Sequence, residues 1–73
     1  MWVRSQDKER LLNTEDLFIK EKDEKGMYKI VAYTKGFIGS YSTKEKALKV
    51  LDMIAEHTGS RYPFYMPQDV EVE

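Results

Sequence analysis

The side chains with most to offer chemistry are His57, the single histidine of the chain, and a set of arginines and aromatics near the two termini. An imidazole titrates near neutrality and can serve as a general base or a metal ligand, but either role needs a second group held beside it. No His-x-x-x-His pair, phosphate loop, calcium loop or Gly-x-Ser-x-Gly elbow supplies one. The structural role for His57 is in the last turn of a helix, where a partly protonated imidazole suits the carbonyl end of the helix dipole. Cysteine is absent, which removes thiolate metal sites, thiol nucleophiles and disulfides together. The sequence therefore reads as a non-enzyme, with no catalytic residue, no metal and no cofactor assigned.

The arginines and aromatics suggest binding instead. Tyr62, Phe64 and Tyr65 fall close together, Arg61 precedes them, and Trp2 and Arg4 open the chain. A guanidinium meets phosphate through a planar fork of donors, and an aromatic face stacks on a base. Alternation along Tyr62-Pro63-Phe64-Tyr65-Met66 cannot bury every side chain on one face, so some aromatics stay accessible. If the terminal segments pair, Trp2, Arg4, Arg61, Tyr62 and Tyr65 form the candidate ligand-binding set. The same mixed cationic and aromatic surface would suit the seam of a homo-oligomer.

Composition narrows the partners. At 73 residues the chain makes one domain with a small core, and it has no disulfide to reinforce it. Oligomerisation is the remaining prop, so a homo-oligomer is expected. Lysines and arginines number 12 against 13 acids, for a net charge of −1, which disfavours duplex nucleic acid. No apolar run approaches the ~20 residues of a membrane span, and Met1-Trp2-Val3-Arg4 lacks the regions of a signal peptide. With no cysteine, the expected compartment is a reducing cytoplasm. Lys35-Gly36-Phe37 begins like an RNA-recognition signature, but Ile38 and Gly39 then stand where a small residue and a stacking aromatic are needed. Gly36-x-x-Gly39 has the spacing of a KH loop without its basic middle; a turn glycine and a bulge or close-approach glycine account for it better.

The elements that must position these residues are short. Trp2 to Ser5 and Arg10 to Asn13 read as strands around a polar turn. Residues 16–22 and 27–34 read as a hairpin closed by Asp23-Glu24-Lys25-Gly26, with Tyr28, Ile30 and Ala32 on one face. Phe37 to Tyr41 adds another strand. Ser42-Thr43-Lys44-Glu45 fits a capping box and predicts a helix over 43–58, with Ala47, Leu48, Leu51, Ile54 and Ala55 as its buried stripe and Gly59 as its C′ residue. Pro63 and Pro67 limit the segment between them to a short edge strand. The expected architecture is α+β, a small antiparallel sheet of four or five strands with one amphipathic helix packed on one face. It occupies residues 1–67, followed by an acidic, frayed tail at 68–73.

The pattern Trp2-x-Arg4-Ser5-Gln6-Asp7-Lys8, Leu12-Asn13, Gly39-x-Tyr41-x-Thr43-x-Glu45-x-Ala47-x-x-Val50-Leu51-x-x-Ile54 and Tyr65-Met66-Pro67 resembles a family of small proteins of Gram-positive bacteria and their phages. The resemblance covers nearly the whole chain and carries no catalytic motif. It implies a phage counter-defence protein in the cytoplasm of the bacterial host, acting as a sponge that sequesters a nucleotide-derived signalling molecule. The alternative it implies is an interaction module that binds and blocks a host protein.

Overall fold

Strand alternation sorts the apolar residues of this chain onto inner and outer faces, and the computed structural model describes residues 1–57 and 59–73. Strand β1 (Trp2–Arg4) pairs antiparallel with β2 (Leu11–Asn13), placing Val3 opposite Leu12. On its other side β1 pairs with β6 (Phe64–Tyr65), placing Val3 opposite Phe64 and Arg4 opposite Tyr65. Val3, Leu12 and Phe64 are buried on the inner face, while Trp2, Leu11 and Tyr65 are exposed on the outer one.

The second sheet is an antiparallel meander of β3 (Leu17–Lys20), β4 (Tyr28–Ala32) and β5 (Gly36–Tyr41). Ile30 and Ala32 are fully buried and Tyr28 packs on the same core, the face that their spacing predicts. Both sheets and the helix share one apolar cluster, in which Tyr41 is the largest fully buried side chain. Burial of Tyr41 raises the pKa of its phenol, and the hydroxyl donates to the Pro67 carbonyl at 2.8 Å.

The α+β class holds, but the expected single antiparallel sheet does not. Among the described residues, six strands divide into two three-stranded sheets, and β6 runs parallel to β1. A parallel partner needs a long crossover, and here the second sheet and the helix together form it. Alternation reports which face of a strand is buried and is silent about which strands are neighbours.

Helix α1 (Lys44–His57) packs on the inner face of the second sheet. Its cap is Thr43, whose Oγ1 accepts the Lys46 N–H at 3.1 Å. Ser42, the expected cap, instead donates its N–H and its hydroxyl to Asp69 Oδ1 at 2.8 and 3.1 Å. The buried stripe is Ala47, Val50 and Ile54, with Leu51 half-buried, whereas Leu48 is 46% exposed and Ala55 is also exposed. The rotation towards Val50 has a cause. Lys46 and Lys49 donate to the Asp69 and Glu73 carbonyls, so the C-terminal segment covers that flank and leaves the Leu48 flank open. The expected helix end at residue 58 lies outside the described residues.

The tail is therefore not frayed. Asp69–Glu71 form a 3-10 turn, and Val72 is only 4% exposed while Val70 is 88% exposed. Hydrogen bonds from Ser42, followed by the nearby Lys46, hold the Asp69 carboxyl below its ordinary value of 3.8. A docked tail makes Val72→Ala cost about 1–3 kcal/mol of stability, while Val70→Ala stays within about 0.5 kcal/mol. Thermal melts of the two variants that shifted equally would show the tail to be loose.

Candidate functional site

The turn after β1 places the charged groups of the site. Ser5 Oγ donates to Asp7 Oδ1 at 2.6 Å and accepts the Arg10 N–H at 3.1 Å, closing the loop between β1 and β2. The Asp7 carboxyl is lowered by the Ser5 hydroxyl and then by the Glu9 N–H. Lys8 takes a left-handed conformation at φ 68° within this loop, and its carbonyl accepts from Arg4 Nη1 at 3.4 Å.

Gln6 fastens that loop to the second sheet. Its backbone N–H donates to the Ile38 carbonyl at 2.7 Å. Its side-chain amide accepts the Ser40 N–H at 2.9 Å and donates to the Ser40 and Pro67 carbonyls, both at 3.1 Å. Ile38 is the extra residue of a bulge, because β4 pairs Ile30 with Gly39 and Val31 with Phe37. β5 is an edge of its sheet, and Ile38 and Ser40 turn their backbone groups away from β4, where Gln6 takes them.

Beside this clamp lies a cleft lined by Arg4, Lys8, Tyr65, Pro67, Val70 and Glu71, among others. Its volume of about 740 Å³ falls in the range of small-molecule sites, roughly 300–1,000 Å³. The Arg4 guanidinium stands 6.0 Å from the Tyr65 ring centroid. Arg4 Nε is buried and has no hydrogen-bond partner among the described residues. A buried donor left unpaired costs about 1–3 kcal/mol, and more on a charged group. An acceptor that reached Nε would recover that cost.

Of the five residues selected from sequence, the structure brings Arg4 and Tyr65 together. Trp2 shares the outer face with them and stands opposite Asn13 in β2. Arg61 and Tyr62 precede β6, do not line this cleft, and are exposed. His57 Nε2–H donates to the Tyr62 carbonyl at 2.7 Å, and its ring meets Phe64 edge-on at 5.5 Å. This geometry gives His57 a packing role. Lys8, Pro67 and Gln6 were missed. The Ser5-Gln6-Asp7 turn pattern marks the Lys8 loop, but nothing in the sequence marks Gln6. Among the described residues no three His, Asp or Glu side chains gather as metal ligands. None of the described helices is long and apolar enough to cross a membrane. No family model matches the chain, and neither a curated protein nor a solved structure matches it.

Gly39 packs against Met66, one of the residues lining the cleft. A Cβ there would meet Met66 Cε at 2.9 Å and the Tyr41 ring at 3.1 Å. Gly39→Ala is expected to cost about 1–3 kcal/mol through overpacking. A denaturant midpoint equal to that of the parent chain would show that Met66 yields freely.

Proposed function

We propose that this chain is a non-catalytic binding protein whose Arg4–Tyr65 cleft holds a compact anion bearing a planar ring, of the nucleotide-derived class. The observation that carries this reading is the unpartnered, buried Arg4 Nε beside an exposed aromatic face. In the complex, the Arg4 guanidinium and the Lys8 ammonium meet phosphate oxygens while Tyr65 stacks on the base. Glu71 lies at the rim as the one carboxylate lining the cleft, so it favours a ligand that offers it a ring N–H. Holding a ligand without turning it over is the chemistry of a sponge, the counter-defence role implied by the sequence resemblance. Multiple copies in one assembly would raise its capacity.

A second reading rests on a different observation. Trp2 is 50% exposed, and Leu11 stands exposed on the same face as Tyr65. An apolar outer face of this kind suits a protein partner, and the chain would then act by blocking it.

The two readings part on whether a small molecule travels with the protein. Protein purified from bacteria that make nucleotide signals is heat-denatured, and the supernatant is analysed by mass spectrometry. A nucleotide-derived species is expected from the parent chain. Arg4→Lys keeps the charge but loses Nε, and Tyr65→Leu loses the stacking face; each should weaken binding by about 1–3 kcal/mol. Release of no such species at any stage, or equal release from all three proteins, would overturn the ligand reading. Capture of a host protein through Trp2 and Leu11 would then replace it.

A further inference from the structure

The cleft beside the Gln6 clamp keeps its opposite charges apart, and that separation narrows the ligand further than its charge and its ring do. Arg4, Lys8 and Glu71 all line it. Among the described residues none of the three takes part in a salt bridge. Two cations and a carboxylate that share a small cleft without pairing leave charged donors at one place and a charged acceptor at another. A ligand that completes the cleft therefore carries an anion for the first and N–H donors for the second.

Glu71 is tied down in a way that a free surface glutamate is not. It closes the 3-10 turn Asp69–Glu71, and the next residue, Val72, is buried. Its Oε1 accepts the Gln68 N–H at 2.7 Å, which holds the carboxylate against the turn, leaves Oε1 a second lone pair and leaves Oε2 unused. An ionised carboxylate only accepts, so it selects a base by the number and place of its donors. Guanine sets N1–H beside its N2 amino group, two donors that meet two carboxylate oxygens in parallel. Adenine and cytosine offer an amino group beside a ring nitrogen whose lone pair would face the second oxygen. Uracil offers one N–H between two carbonyls, which the carboxylate repels.

Resting on the ligand reading above and deepening it, we infer that the ligand of this cleft is a guanine nucleotide and that Glu71 is the residue that selects the base. The Glu71 carboxylate accepts from guanine N1–H and N2–H, while the Arg4 guanidinium and the Lys8 ammonium take the phosphate and Tyr65 lies against the ring. Glu71 contributes what Arg4, Lys8 and Tyr65 cannot, because a phosphate and an aromatic face are common to every nucleotide. A carboxylate in an otherwise cationic site also lowers its affinity for a bare phosphate. The cleft is thereby matched to base and phosphate together.

Isothermal titration calorimetry of the full chain with the 5′-monophosphates of guanosine, inosine and adenosine reads this directly. Guanosine monophosphate is expected to bind about ten-fold more tightly than adenosine monophosphate. Inosine monophosphate, which lacks the N2 amino group, should fall between them. Glu71→Gln retains an oxygen that accepts the Gln68 N–H, so the turn keeps its cap. Its amide presents one donor and one acceptor, the complement of adenine, and the order of the guanosine and adenosine monophosphates should reverse. A glutamate that merely capped the turn would leave the order of the parent chain in place, and that result would overturn the inference. Equal binding of all three, weakened by Tyr65→Leu, would overturn the guanine assignment and leave the ligand reading standing. Binding of none at millimolar concentration would also overturn it, with the release assay above deciding the ligand reading on its own.

Discussion

The architecture depends on one side chain acting as a surrogate peptide group. Among the described residues the two sheets share no strand ladder, yet their inner faces must close on a common core. Gln6 joins them by offering Ser40 an acceptor and a donor, as a neighbouring strand would, and by donating to the Pro67 carbonyl as well. Its backbone completes the junction, because its N–H reaches Ile38 and its carbonyl accepts from Gln68 Nε2 at 2.7 Å. Buried amide groups are costly when unpaired, and here β5 is an edge strand whose Ile38 and Ser40 turn their backbone groups away from β4 to meet Gln6. Arg10 and Lys35 add a peripheral tie, with Arg10 donating to the Lys35 carbonyl and the Lys35 ammonium to the Asn13 carbonyl.

From that junction the rest follows in order. Gln6 fixes where β1 ends, so Arg4 meets Tyr65 across the parallel pair and the loop carrying Lys8 folds beside them. It also holds Pro67, whose carbonyl takes the Tyr41 hydroxyl. With Pro67 placed, Asp69 arrives at the start of the helix and accepts from Ser42, while Lys46 stands 3.6 Å from its other oxygen. The C-terminal residues thereby become a wall of the core. A small domain has few apolar residues to spare, and Val72 supplies one from a segment whose composition looks like solvent-exposed tail.

The parts of this fold written in local spacing were legible in the sequence. The inward set Tyr28, Ile30 and Ala32, the hairpin around Gly26, a helix expected from residue 43 and found from residue 44, and the brief strand between Pro63 and Pro67 all follow from period and punctuation. The capping box was displaced by one residue because Ser42 and Thr43 are both good caps; Asp69, distant in sequence, decides between them. The helix stripe was misjudged for a related reason. Leu48 and Val50 have similar claims on burial, and the tail covers the Val50 side. Pairing of Arg4 with Tyr65 was foreseeable as soon as the termini were supposed to meet, while the separation of Arg61 from them depends on how the chain enters β6. Gln6 carries no local signature at all, since an amide in a polar turn looks the same whether it faces water or a bulged strand.

The central claim is that Gln6 holds the two sheets together, and amide hydrogen exchange of a Gln6→Ala variant tests it most directly. Opening of the junction should remove protection from the Ser40 and Met66 amides together, while the β3–β4 amides at Phe18 and Val31 remain protected in a still-folded meander. Ser40 and Met66 amides that exchange as slowly as in the parent chain would contradict the account and show that the shared apolar core alone joins the sheets.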